Sequence, residues 1–265
     1  MKKIVFILLA YFLFSGSILA KTKIIKDTYY EGEIKFYKLK YNLPEGKWLS
    51  LGKQTLHVGE IPNIGMSCID FLQLEKKLFK SALSICELHT NGTYTNYIGM
   101  YLNREWTKGK YDSCTLRPEY YYTKLWTKGM ASNCFMVRHI DVNKELNFPD
   151  DPEDTNTFAK RIIKDYKIIL PKTMLLSGHA YYAPNVSDRG YLIDYAINPE
   201  LHGAPETLYA DENKSEYHRN NIEKYPEKQK LMFNWTKDSA KRHQEFELRL
   251  RAKGRHKLSF DDLGL

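Results

Sequence analysis

Cysteine, glycine and proline are all scarce in this chain: 265 residues hold 4 Cys, 15 Gly and 10 Pro. That little Gly and Pro excludes a collagen or a low-complexity polymer, and 43% hydrophobic with 27% charged residues is not the composition of a disordered chain. No CxxC occurs, so a thioredoxin-type redox site and a paired-cysteine zinc site both lack their usual spacing. No HExxH places two histidines on one helical face, and there is no Walker loop, GxGxxG or GxSxG elbow. The sequence therefore predicts no metal and no cofactor. Beyond residue 20 no segment approaches the roughly 18 apolar residues that a membrane-spanning helix needs.

The amino terminus is patterned differently. Lys2 and Lys3 precede eleven apolar residues from Ile4 to Phe14, then Ser15-Gly16-Ser17 and Ile18-Leu19-Ala20. A positive start, a short apolar stretch and a small residue before the cut are the marks of a secretory leader. Residues 1–20 are expected to be a signal peptide, and 21–265 an exported domain, periplasmic or secreted. Loss of Lys2 and Lys3 takes two charges from the formal +8 and leaves +6. A basic exported protein favours anionic envelope components as partners, and export argues against nucleic acid.

All four cysteines, Cys68, Cys86, Cys114 and Cys134, follow the leader. An even number in an oxidising compartment predicts two disulfides. Cys68 and Cys86 are equidistant from Lys77, the tip of an expected hairpin, so Cys68–Cys86 is the favoured pair and Cys114–Cys134 the other.

Along the chain, 24–59 reads as extended segments broken at Glu31-Gly32 and Pro44-Glu45-Gly46. A hairpin follows over 67–89, and Asn91-Gly92 is a turn. Tyr94 to Trp106 fits a short helix. Glu119 to Trp126 and Cys134 to Ile140 form a second hairpin about Lys128-Gly129. Phe158, Ile162 and Tyr166 recur on one helical face after Thr155. Ile168 to Leu170, Met174 to Tyr182 and Tyr191 to Ile197 look like buried strands. The chain is expected to be helical from about residue 205 to 258, with Pro226 in the first turn of the last helix and Gly254 just past its end. Leu231, Met232, Trp235, Ser239, His243, Phe246 and Leu250 share one face of that helix. The predicted fold is α+β, a mainly antiparallel sheet in 21–200 packed against a long C-terminal amphipathic helix and one or two shorter helices.

Residues with chemical potential are few. His139 and Asp141 have the same parity on an expected strand, a general-base or metal-ligand arrangement with no third partner. Ser177 and His179 share a parity but lack an orienting group. His243, inside the apolar stripe, reads as a packed core histidine. Asp150, Asp151, Glu153 and Asp154 do not have EF-hand spacing and read as a solvated loop before a helix. Tyr120-Tyr121-Tyr122 and Tyr181-Tyr182 suit sugar or peptide contact, though adjacent strand residues face opposite sides. From residue 237 to 257 eight Lys/Arg stand against three Asp/Glu. Lys237, Lys241, Arg251 and Arg255 would offer a basic face to an anionic partner.

Three roles stay open on this reading. The first is a non-catalytic binding protein of the envelope or periplasm. The second is a hydrolase using His139, Asp141 or His179. The third is a carrier holding a small ligand in an aromatic-lined cavity against the terminal helix.

Overall fold

The computed structural model describes residues 24–37, 39–57, 64–90, 118–128, 131–147, 155–182 and 189–251. The expected leader, Cys114, the Tyr94 to Trp106 helix, the acidic run at 150–154, Gly254 and Arg255 lie outside them.

The strands are β1 (Tyr29–Tyr30), β2 (Glu33–Phe36), β3 (Leu39–Asn42), β4 (Trp48–His57), β5 (Ile64–Glu75), β6 (Leu78–Thr90), β7 (Tyr120–Lys128), β8 (Ala131–Asp141), β9 (Thr173–Tyr182) and β10 (Gly190–Ile197). The α-helices are α1 (Val142–Leu146), α2 (Thr155–Tyr166) and α3 (Pro226–Arg251). Eight strands make one sheet in the order β1-β4-β5-β6-β10-β9-β8-β7, every neighbour antiparallel, and β2 pairs with β3 as a separate ribbon. Sheet dominates, so the α+β expectation holds in its coarse form.

The two-residue period decides what each face buries. Along β10, Tyr191, Ile193, Tyr195 and Ile197 point to one side, where they join Ile69, Phe71, Ile85, Phe135, Val137 and Tyr181. Met232, Trp235 and Phe246 of α3 complete this core, and so do Ile34, Phe36, Leu39 and Tyr41 of the β2–β3 ribbon. Aromatic rings meet edge to face across it, Phe246 against both Tyr181 and Tyr191. Alternate residues of the same strands, among them Leu72, Met136, Leu176 and Ala196, point the other way and pack with Ile162 of α2 and Ile168. The sheet is thus the middle layer of three.

Both predicted hairpins form. β5 and β6 turn at Lys76 and Lys77, Lys76 adopting φ 61°, and their register sets Cys68 opposite Cys86. Those two residues are joined in a disulfide. Cys134 is disulfide-bonded too.

Two expected elements are corrected. Residues 168–170 are not a strand: α2 ends at Lys167 with φ 52°, and Ile169 makes a single bridge with Leu78 through backbone bonds to Lys77 and Phe79. Pro171 follows and cannot donate to a ladder. Residues 205–225 are turns with one 3-10 turn at Ile222–Lys224, and the helix begins only at Pro226. Side chains divert the backbone there: Asp211 Oδ1 accepts from the N–H of Asn213 and Lys214, and Ser215 Oγ from that of Tyr217. The predicted stripe of α3 is buried at Met232, Trp235, Ser239, His243 and Phe246.

Candidate binding cavity

The sequence-predicted residues lie on the α3 side of the sheet. Phe135 of β8 and His179 of β9 are direct partners in the ladder, and their rings stack at 5.3 Å. His243 descends from α3 and stacks on both, 5.5 Å from Phe135 and 5.1 Å from His179. Its Nε2 lies 2.7 Å from Asn133 Oδ1 and its Nδ1 3.0 Å from His179 Nδ1. With the Asn133 oxygen accepting, Nε2 of His243 carries the proton, and His179 donates from Nδ1 to Nδ1. Burial holds both imidazoles neutral. It brings His243 down to about 3 and His179 well below the ordinary range, the latter helped by His243 and Arg242. His243 is the packed core histidine that the helical stripe predicts.

His139 stands four residues from Phe135, about 13 Å along the strand. Its Nε2 donates to the Glu212 carbonyl at 3.1 Å, its ring meets His218 edge to face at 5.9 Å, and burial pushes it down to about 4. Asp141 does not join it. Its Oδ1 caps α1, accepting from the N–H of Asn143 and Lys144. Ser177 is buried and donates to the Tyr195 carbonyl at 3.5 Å. Hence His139, Asp141 and His179 serve three separate local structures. Lys237 and Lys241 are exposed on α3, Lys237 lying over the Phe233 ring, whereas the side chain of Arg251 lies outside the described residues. Glu247 of the same helix is buried. Tyr181 and Tyr182 are both fully buried, so these rings are packing.

The opposite face holds a feature that no motif announces. One ladder row runs Asp70 of β5, Ser84 of β6, Asp194 of β10, Gly178 of β9 and Met136 of β8. The next row runs Leu72, Ala82, Ala196 and Leu176. Three of the inward positions in mid-sheet are therefore Ser84, Ala82 and Ala196, too small to fill the space under α1 and α2. A half-open cavity of about 320 Å³ results, walled by Leu72, Phe79, Ile140, Ile162, Ile163 and Met174. This lies at the small end of the roughly 300–1,000 Å³ typical of ligand pockets. The third expected role placed a cavity against the terminal helix and lined it with aromatics. The cavity observed is on the other side of the sheet and mainly aliphatic.

Asp70 and Asp194 stand at its floor with Ser84 between them. Two strand spacings put their Cα atoms roughly 10 Å apart. Gln54 donates to Asp70 Oδ2 at 2.7 Å, and Ser84 Oγ reaches both Asp70 and, at 3.5 Å, the Sγ of Cys86. Oδ1 of Asp194 is buried and has no hydrogen-bond partner among the described residues. Burial pushes both carboxyls up to about 6, against the hydrogen bonds of Ser84 and Gln54 at Asp70 and against Arg138 at Asp194. Gly178 makes the room: a Cβ there would lie 2.5 Å from Met136 Cε and 3.1 Å from Asp194 Oδ1.

The sequence signal for this pair was a carboxylate inside an apolar run, Ile69-Asp70-Phe71 and Ile193-Asp194-Tyr195. The two runs are far apart in the chain, and only the strand order brings them together. No group of three or more metal-ligating side chains occurs among the described residues. No protein family, no curated protein and no solved structure matches the chain.

Proposed function

We propose that this is an exported, non-catalytic binding protein whose cavity between the sheet and helices α1 and α2 takes one small, largely apolar ligand. The observation that carries this is the cavity itself: an aliphatic wall around a floor of small residues, with a few convergent polar groups at one point. Binding is favoured over hydrolysis because His139, Asp141 and His179 engage separate partners and none of the three lines the cavity. Export is supported by the leader pattern in residues 1–20 and by the Cys68–Cys86 bridge, a bond that reducing compartments do not favour. No helix among the described residues is long and apolar enough to cross a membrane.

The test is titration with N-phenyl-1-naphthylamine, a neutral apolar dye that brightens on leaving water. One dye per chain is expected to bind. Ala82→Phe, which adds a ring to the cavity floor, is expected to abolish the signal while the far-ultraviolet circular dichroism stays that of the parent. Unchanged dye binding in that variant overturns the reading.

A further inference from the structure

The polar groups of the cavity restrict its guest further, and the restriction rests on the binding reading above. We infer that the guest is an aliphatic amine, its ammonium seated between Asp70 and Asp194 across Ser84 and its alkyl body against the aliphatic wall.

The lining supplies the argument. Among the described residues its charged side chains are Asp70, Asp194 and Glu145, all acidic, with no Lys, Arg or His in the lining; Arg138, outside the lining, acts on Asp194 from a distance. Glu145 is answered by Arg138 at 3.4 Å, and Asp70 receives Gln54 and Ser84. Asp194 lines the cavity as well, and its Oδ1, beside Gly178, has no hydrogen-bond donor among the described residues. A carboxylate kept from water without its full set of donors is destabilised, so a guest that brings a donor recovers that cost. An alcohol brings one O–H. An ammonium brings three N–H groups and a positive charge, and charge-assisted bonds to carboxylate are about twice as strong as neutral ones. A carboxylate guest brings neither and meets two like charges. The wall sets the rest of the molecule. A second ammonium on the alkyl chain would sit against Leu72, Phe79 and Ile162 with nothing to pair it, so a monoamine fits and a polyamine does not.

The test uses three ligands with the same eight-carbon chain: n-octylamine, n-octanol and n-octanoate, titrated calorimetrically into the purified chain at pH 7.5. The amine is expected to bind at least tenfold tighter than the alcohol, and the octanoate not measurably. Asp194→Asn is expected to lower amine affinity at least tenfold while alcohol affinity stays within threefold, which also reports that the variant is folded. Asp70→Asn should act in the same direction. Octanoate binding, equal affinity for amine and alcohol, or an amine affinity unmoved in both variants overturns the inference while the cavity reading stands. Failure of both alcohol and amine to bind overturns the two together.

Discussion

The two faces of the sheet are built from the same strands by the same alternation, yet they solve opposite problems. The α3 face is filled: rings of Phe135, His179 and His243 stack, Tyr195 tilts against Trp235, and the Arg242 guanidinium covers both of those last rings. Its buried imidazoles, His179 and His243, are hydrogen-bonded to each other and held neutral, and Glu87 and Glu216 are paired with Arg189 and Lys228. The α1–α2 face keeps small residues where the other has large ones, and it keeps two carboxyls where water is scarce. A face that leaves space is less stable than it need be. On the binding reading, that space is what the guest fills.

The sharpest break between the faces should come from truncation. Phe135→Ala removes a ring wedged between two imidazoles and Tyr122, and it should destabilise the fold by about 3–5 kcal/mol in urea unfolding. Ile163→Ala, beside the existing cavity, should cost about 2 kcal/mol, because its neighbours already lack contacts on one side. Equal losses at the two sites would remove the distinction.

Opening the Cys68–Cys86 bridge with Cys68→Ser/Cys86→Ser should cost about 3 kcal/mol for a sequence separation of 18. The loss should fall first on the carboxyl face, since Cys86 touches Ser84. Amide hydrogen exchange read along β5 and β6 checks this.

The subtlest contrast is in pH. The native state keeps His243 unprotonated down to about 3, whereas the unfolded chain takes up that proton near 6.5, so this contribution to stability is lost as pH falls below 6.5. Asp194 runs the other way. The native state takes its proton at about 6 and the unfolded chain only at about 3.8, so stability falls as pH rises through that window. Asp194→Asn should therefore raise the stability of the unliganded protein at pH 8, by on the order of 2–3 kcal/mol, and should give no gain below pH 4. Urea midpoints at pH 3.5 and pH 8 measure it. A destabilised variant at pH 8 would mean that Asp194 is held by compensating partners.

Much of the architecture was legible in the sequence. Turn chemistry at Glu31-Gly32, Pro44-Glu45-Gly46 and Lys128-Gly129, with runs of alternating apolar residues, located most strands within a few residues. Cysteine spacing about Lys77 gave the register of a hairpin, because symmetry about a tip is a local property. What was not legible is non-local. Asp70 and Asp194 share a row only because β10 inserts beside β6, and strand order is not written in either segment. Ser215 to Tyr225 read as helix because its composition permits one, but the Asp211 and Ser215 side chains offered the backbone nearer partners. His139 and Asp141 shared a strand parity, yet a strand end next to a helix start turned the carboxylate into a cap.

The contact between Ser84 Oγ and the Cys86 sulfur has a bearing on when the cavity becomes usable. A newly made chain with Cys68 and Cys86 still as thiols lacks the covalent tie that fixes the spacing of β5 and β6 beside the acid row. On the amine-binding reading, oxidation of this pair and readiness to load are linked, and a chain still awaiting oxidation is expected to hold its guest more weakly.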